Sequence, residues 1–163
     1  MEQTVIQYPE EKDKFYNLLK KQLRSLLEDE TNTIANLANS SALLNEALKD
    51  INWVGFYLMS KDELILGPFQ GKVACVHIQI GKGVCGTAVK ENKTQLVYDV
   101  HQFPGHIACD AASNSEIVVP LRHNGDVVGV LDIDSPLIGR FDEQDAKELE
   151  EIAEIIEKAC TWN

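Results

Sequence analysis

The sequence is poor in basic residues, with 15 Lys and Arg against 26 Asp and Glu and a formal net charge of -11. Such a charge repels phosphate backbones and anionic membrane surfaces, so neither nucleic acid nor a membrane is expected as a partner. No apolar run approaches membrane-spanning length, and Met1 is followed by the polar Glu2-Gln3-Thr4 rather than by a charged and apolar leader. We therefore expect a cytoplasmic protein.

The sequence also lacks a Cys-x-x-Cys pair, although it contains four cysteines: Cys75, Cys85, Cys109 and Cys160. With 163 residues, 44% of them hydrophobic, the chain can form one domain whose core needs neither disulfides nor a metal. In a reducing compartment, cysteines that are not needed as staples are more often catalytic, redox-active or metal-binding.

Apolar residues at helical spacing predict two helices at the start of the chain and one at its end. The first begins just after Pro9, the second runs from about Thr33 to Leu48, and the last is capped by Asp142. Their apolar stripes are Phe15, Leu18, Leu19, Leu23, Leu26 and Leu27 in the first, Ile34, Leu37, Ala38, Leu44 and Leu48 in the second, and Leu149, Ile152, Ala153, Ile156 and Cys160 in the last. Cys160 is accordingly interpreted as a core residue.

Between these helices the sequence predicts about six strands with short connections. They are Trp53–Met59, Glu63–Leu66, Val73–Ile78, Gln95–Val100, Glu116–Arg122 and Val127–Ile133. The first two form a hairpin, and the last two form another around Asn124-Gly125. We expect an α+β domain, a mostly antiparallel sheet with N-terminal and C-terminal helices packed on it.

Acidic residues mark the second hairpin. Asp132 and Asp134 share one face of its outgoing strand, but a strict two-residue loop would place Glu116 opposite Ile133 and turn it away from them. If the three carboxylates converge, the hairpin must contain a bulge or a three-residue loop.

Two loops offer reactive groups. Cys109 lies in a loop that contains Gly and Pro, with His106 before it and Asp110 directly after. This pattern fits two interpretations about equally, a chemically reactive thiol and a free thiol without a role. The glycine-rich turn 81–89 opens a short helix; such a start can hold an anion, and it can lower the pKa of the Cys85 thiol. Alternation in the first strand puts Trp53 and Tyr57 on one face, flanking Gly55 with room between them.

Six motifs resemble those of the GAF-domain free methionine-(R)-sulfoxide reductases, over a stretch from about Asn52 to Asp142. They are Asn52-Trp53-Val54-Gly55-Phe56-Tyr57, Leu66-Gly67-Pro68-Phe69-Gln70-Gly71, Gly83-Val84-Cys85-Gly86, Phe103-Pro104-Gly105-His106-Ile107-Ala108-Cys109-Asp110, Ser113-Asn114-Ser115-Glu116 and Leu131-Asp132-Ile133-Asp134-Ser135. The resemblance implies a single GAF domain over 1–163, with N-terminal helices in 1–50, the sheet, pocket and cysteine loops in 51–135, and the C-terminal helix in 141–163.

The resemblance also implies a chemistry. Cys109 would attack the sulfoxide sulfur and become a sulfenic acid, which condenses with Cys75 or Cys85 to a disulfide that a thioredoxin/NADPH system reduces. No bound cofactor is implied. The sequence does not choose between the two resolving cysteines, and it leaves a homodimer open.

By the same resemblance, Glu116, Asp132 and Asp134 form the acidic part of the site. Clustered carboxyls raise one another's pKa, so at least one could protonate the sulfoxide oxygen while the others bind the substrate ammonium. Trp53 and Tyr57 would wall the pocket, and backbone N–H groups near Gly83 to Thr87 could hold the substrate carboxylate.

Two alternatives use the same residues. A zinc site could draw on Cys75, His77, Cys85, His106 and Cys109. A ligand-sensing GAF domain could hold a small molecule without turnover, because Arg140-Phe141-Asp142-Glu143 faintly resembles part of a cyclic-nucleotide GAF motif. A sensor is usually joined to an output domain, which this sequence lacks, and it gives no reason for three cysteines near the pocket.

Overall fold

A six-stranded antiparallel sheet forms the centre of the protein, in a computed structural model that describes residues 6–106 and 111–162. The strands are β1 (Trp53–Ser60), β2 (Glu63–Gly71), β3 (His77–Gln79), β4 (Gln95–Val97), β5 (Ser115–His123) and β6 (Asp126–Ser135), in the spatial order β3-β2-β1-β6-β5-β4. The helices are α1 (Lys12–Leu27), α2 (Thr33–Ala47), α3 (Gly83–Glu91) and α4 (Glu143–Ala159), with a 3-10 turn at Val100–Gln102. This confirms the predicted α+β class. Within the described ranges, none of the helices combines the length and apolar character needed to cross a bilayer.

The two faces of the sheet carry different layers. Val54 and Phe56 of β1 point to the face covered by α1, α2 and α4, where the larger core lies. Trp53 and Tyr57 alternate with them and point to the other face, where they join a smaller apolar cluster that includes residues of α3. Strand β1 therefore contributes side chains to the main core on one face of the sheet and to the smaller, partly open cluster on the other.

Hydrogen bonds join the first helix to the last. Asp142 caps α4 by accepting from the Asp145 backbone N–H at 3.0 Å, and the Asp145 carboxylate accepts from the Asp142 N–H at 3.0 Å. This capping box confirms the predicted start of α4. From α1, Lys12 Nζ bonds Asp142 at 2.8 Å and Asp145 at 2.7 Å, and the Tyr16 hydroxyl donates to the buried Asp145 at 2.6 Å.

Three predicted strand boundaries are wrong. The predicted strand Val73–Ile78 is regular only in β3, so Cys75 lies in an irregular segment rather than on a strand. β2 continues through Gly67 and Pro68, because the β1–β2 register shifts between Gly55 and Tyr57 and such a bulge tolerates proline. The predicted strand Gln95–Val100 is too long, because β4 ends at Val97 and the chain continues into the 3-10 turn at Val100–Gln102.

The predicted stripe of α2 is partly wrong. Ile34 is 58% exposed and Ala38 is exposed, while Asn36, Ser40 and Ser41 are buried beside Leu37 and Leu44. Asn36 donates to the carbonyls of Glu30 and Ala159, and Ser41 donates to those of Leu37 and Pro68. Asn36 and Ser41 are satisfied in this way and can enter the core, which a hydrophobicity pattern does not anticipate. In α1, Leu26 of the predicted stripe is 43% exposed.

Candidate active site

A bulge in the β5–β6 hairpin brings the acidic residues onto one face. Arg122 pairs with Val127, but Leu121 pairs with Gly129, so Val128 is an extra residue on β6. From there on the register places Glu116 directly opposite Asp134. The hairpin therefore contains the bulge that convergence of the carboxylates requires.

β1 pairs with the other side of β6 and extends this face. Trp53 lies opposite Asp134, Gly55 opposite Asp132, and Tyr57 opposite Val130. The carboxylates and the two aromatic side chains thus occupy neighbouring positions on three adjacent strands. This register confirms the prediction that Trp53 and Tyr57 share a face.

The aromatic wall is stacked and anchored by hydrogen bonds. The Trp53 ring lies 5.9 Å from that of Tyr57 and 5.1 Å from that of Phe69, at interplanar angles of 24° and 15°. The space at Gly55 is filled by Phe69, since a Cβ there would lie 2.2 Å from Phe69 Cβ. Tyr57 donates to the Cys75 carbonyl at 2.9 Å. The wall is therefore tied to the irregular segment that carries Cys75.

These groups line one cavity between the sheet and the start of α3. Its floor is acidic, with Glu116 6% and Asp132 5% exposed. Cys85, in the first turn of α3, enters the same cavity and is buried. The lining residues are Trp53, Tyr57, Val73, Ala74, Ile78, Lys82, Gly83, Val84, Cys85, His106, Ser113, Glu116, Asp132 and Asp134.

Burial controls the protonation of the floor. Removal from water raises the pKa of Glu116 well above its usual value, and the negative charge of Asp132 raises it further. Burial also raises the pKa of Asp132, although polar contacts with Glu116 and Cys85 act in the opposite direction. The pair therefore retains a proton under conditions in which an exposed carboxyl has lost its own.

The Cys85 thiol does not have the lowered pKa that was expected for a cysteine at the start of a helix. Burial raises the pKa of its thiol well above the usual value, and the charges of Asp132 and Glu116 add to the rise. Desolvation and the two acids thus outweigh the effect of the helix start, and the thiol stays protonated. The prediction of a lowered pKa is wrong.

His106 lies beside the acidic floor. Its Nε2 is 3.8 Å from Glu116 Oε1, and its side chain is 15% exposed. Partial burial, followed by the neighbouring His101, lowers the pKa of the imidazole. At neutral pH the ring is therefore mainly uncharged, and it can donate or accept a hydrogen bond inside the cavity.

The three cysteines within the described residues occupy distinct environments. Cys75 is disulfide-bonded, whereas Cys85 and Cys160 are free thiols. Cys160 is the C-cap of α4, half-buried against the main core rather than fully within it. The predicted nucleophile Cys109 and its neighbour Asp110 lie outside the described residues, so their predicted roles stay predictions.

The described residues suggested for zinc are only partly brought together, because Cys85 and His106 line the cavity whereas Cys75 and His77 do not. Cys75 is committed to a disulfide, and His77 is exposed and contacts Glu63 at 3.0 Å. In the sensor-like motif, Phe141 is buried in the core on the helix-covered face and Asp142 caps α4. That motif therefore serves the packing of α4 on the face opposite the cavity.

Comparisons with known proteins agree with this geometry. A family model described as a GAF domain matches residues 40–159. The free methionine-R-sulfoxide reductase of Escherichia coli is 56% identical over 147 residues, which are 90% of this chain and 89% of that protein. The chain belongs to the free methionine-R-sulfoxide reductase family.

Solved structures of such reductases share the fold closely. The reduced form of fRMsr from Staphylococcus aureus is 65% identical, with a TM-score of 0.87 over 88% of this chain and 94% of that one. The Neisseria meningitidis free methionine-R-sulfoxide reductase in complex with its substrate is 47% identical, with a TM-score of 0.91 over 94% of this chain and 93% of that one.

Two polar cavity residues of this family member were not singled out from the sequence. Lys82 is the N-cap of α3 and brings a cation to the mouth of the cavity. Ser113 is 7% exposed, and its hydroxyl accepts from the Asn52 amide at 3.0 Å. The motifs around Gly83 and Ser113 were the available signals, but neither indicates which side chain reaches the cavity.

Proposed function

We propose that this protein reduces free methionine-(R)-sulfoxide to methionine with Cys109 as the nucleophile. The observation that carries the proposal is the buried Glu116–Asp132 pair facing a cavity walled by Trp53 and Tyr57. Such a cavity offers a proton donor and an aromatic surface in one place. The substrate named for the Neisseria relative, and the names of the relatives themselves, support the substrate class.

Both charged ends of the amino acid have matching groups in the cavity. The ammonium can pair with Asp132 and Asp134, while the methyl-thio end packs on the Trp53–Tyr57 stack. The carboxylate can bind Lys82 and the N-terminal amides of α3. A peptide-bound sulfoxide lacks both charges, so this arrangement favours the free amino acid.

Glu116 is the proposed acid, because its pKa is raised well above the usual value and its carboxyl is the one beside His106. In the reductive step Cys109 attacks the sulfoxide sulfur and the oxygen passes to the Cys109 sulfur: the substrate S–O bond breaks, a Cys109 S–OH group forms, and methionine is released. Protonation of the oxygen by Glu116 makes it a better leaving group, and the Cys109 thiol proton restores the carboxyl.

Cys75 is the proposed resolving thiol. It already takes part in a disulfide, whereas Cys85 and Cys160 are free and Cys85 remains a protonated thiol. The Cys75 thiol condenses with the Cys109 sulfenic acid, forming the S–S bond and releasing water. A dithiol protein of the thioredoxin class then reduces the disulfide and is itself oxidised, as fits a reducing cytoplasm.

The test is thioredoxin-coupled NADPH consumption with free methionine-(R)-sulfoxide, free methionine-(S)-sulfoxide and a peptide-bound sulfoxide. We expect turnover of the free R form alone and its loss in Cys109→Ser. The matched control is Cys160→Ser, whose cysteine lies outside the cavity and should leave turnover near wild type. A folded, reduced wild-type protein without turnover would refute the proposal.

A further inference from the structure

Three buried side chains of the cavity are arranged as a metal-binding group. The Sγ of Cys85 and carboxylate oxygens of Glu116 and Asp132 all lie within 4.8 Å of one another. Sulfur with carboxylate oxygens is a donor set that Zn²⁺ accepts. Binding breaks the S–H bond of Cys85 and displaces the proton held by the two carboxyls, and these protons pass to solvent. We propose that Cys85, Glu116 and Asp132 bind one Zn²⁺ ion, which blocks the cavity as an inhibitor and is not a cofactor.

The spacing requires only small side-chain movements. Zinc bonds of about 2.3 Å to sulfur and about 2.0–2.2 Å to oxygen place tetrahedral ligands about 3.5 Å apart. Because the three donors all lie within 4.8 Å of one another, no pair has to close by more than roughly 1 Å. Glu116 has three side-chain torsions with which to do so, whereas Cys85 is held in the first turn of α3.

An unsatisfied oxygen points independently to a ligand. Asp132 lines the cavity and is 5% exposed, and its Oδ1 is buried without a hydrogen-bond partner among the described residues. A buried oxygen without a hydrogen bond destabilises the folded protein unless a ligand binds it. His106 lines the same cavity, with Nε2 at 3.8 Å from Glu116 Oε1, but it is not one of the three clustered donors.

The ion and the substrate would compete for the same charges. In the proposed function the substrate ammonium needs the acidic floor, and a divalent cation neutralises that floor more fully. The inhibitory part of the inference therefore rests on the proposed function, whereas the binding of the ion does not.

Cobalt(II) titration of the full-length disulfide form tests the binding without any turnover. In this form Cys75 is committed to its disulfide, and Cys85 and Cys160 are the free thiols. We expect a thiolate-to-cobalt charge-transfer band that saturates at one ion per protein and disappears when Zn²⁺ is added. Absence of the band, or its persistence in Cys85→Ser, would overturn the proposal.

Two further variants keep the test decisive. Glu116→Gln preserves volume and should weaken Co²⁺ binding by at least about tenfold, the loss typical of disturbed metal sites. Cys160→Ser is the matched control, because it removes the other free thiol and should leave the band unchanged. Unchanged affinity in Glu116→Gln, or loss of the band in Cys160→Ser, would exclude the site.

Competition is measured on the cobalt-loaded protein, where no reductant interferes. Free methionine-(R)-sulfoxide should bleach the band, while methionine-(R)-sulfoxide amide, which differs only in lacking the carboxylate, should bleach it less. A band that sulfoxide cannot displace would refute the inhibitory role. Failure of the reductase proposal appears separately, as absent turnover in the metal-free assay.

Discussion

Glu116 and Asp134 lie directly opposite each other on β5 and β6, although a two-residue hairpin around Asn124-Gly125 would have placed Ile133 there. The difference is one residue, Val128, inserted near the turn. Because side chains alternate between faces, this single insertion decides whether the two strands present their carboxyls to the same cavity. The site depends on an irregularity about five residue pairs away.

Glu116→Gln is expected to lower kcat by about 10²–10⁴-fold, the usual loss when a general acid is removed. It should also stabilise the fold. The pKa of Glu116 is raised in the folded state, so the wild-type free energy of unfolding falls as pH rises above the unfolded value of about 4.5. Each unit of pKa elevation corresponds to about 1.4 kcal/mol, and the glutamine variant avoids this cost.

Urea unfolding at several pH values, together with steady-state kinetics, checks both effects. Glu10→Gln, at an exposed position before α1, is the control and should change neither. A glutamine variant that is fully active, or less stable than wild type at neutral pH, would contradict the assignment of Glu116 as a protonated acid.

The cysteine variants should separate the two candidate resolving thiols. With thioredoxin as the reductant, Cys75→Ser is expected to release about one methionine per protein molecule and then stop, because the Cys109 sulfenic acid has no thiol with which to condense. Cys85→Ser should retain multiple turnovers. Rapid-quench measurement of methionine, with mass spectrometry of the protein, distinguishes the outcomes. Multiple turnovers by Cys75→Ser and a single one by Cys85→Ser would reverse the assignment.

Gly55→Ala should destabilise the protein by about 1–3 kcal/mol, the usual cost of overpacking. The added Cβ would lie 2.2 Å from Phe69 Cβ, and Phe69 in turn stacks on Trp53. We therefore also expect a raised KM for the sulfoxide. The comparison is Gly125→Ala, where no atom lies within 4 Å of the new Cβ but a φ of +85° still strains the turn. A raised KM in both variants would show that the Phe69 contact is not its cause.

Asp142→Asn should remove part of the protein's sensitivity to acid. The hydrogen bond from Lys12, opposed by burial, holds the pKa of Asp142 at about 2 instead of its usual 3.8. This lowered pKa means that the stabilisation is present above pH 4 and is lost as pH falls towards about 2. Because the side chain is 58% exposed, solvent screening keeps the effect to about 1 kcal/mol or less.

The measurement for Asp142→Asn is thermal unfolding between pH 2 and pH 7, compared with Glu150→Gln, which changes an exposed carboxylate of α4. The asparagine can still accept the capping hydrogen bond, so the difference isolates the charge. Equal slopes for wild type and Asp142→Asn below pH 4 would contradict the role given to Lys12.

The sequence predicted the class of fold and the residue types of the site, because alternation and helical period are local properties. It predicted the start of α4 from Asp142 for the same reason. From the sequence, the bulge could only be required if the three carboxylates converge; it could not be located, because the register depends on how whole strands pair. The environment of Cys85 was predicted wrongly, because its pKa is set by carboxyls that are distant in the sequence. The irregular path at Cys75 likewise depends on a tertiary contact, the hydrogen bond from Tyr57.

The bonds between the first and last helices also limit how the chain can fold during synthesis. Lys12, Tyr16 and Lys20 of α1 find their partners in Asp142, Asp145, Glu148 and Glu151, about 130 residues later. These polar side chains of α1 therefore lack their native partners in α4 until almost the whole chain has been made, although α2 can pack on α1 earlier. On the ribosome, the part of the α1 apolar stripe that packs on α4 stays exposed or is shielded by chaperones until α4 leaves the exit tunnel.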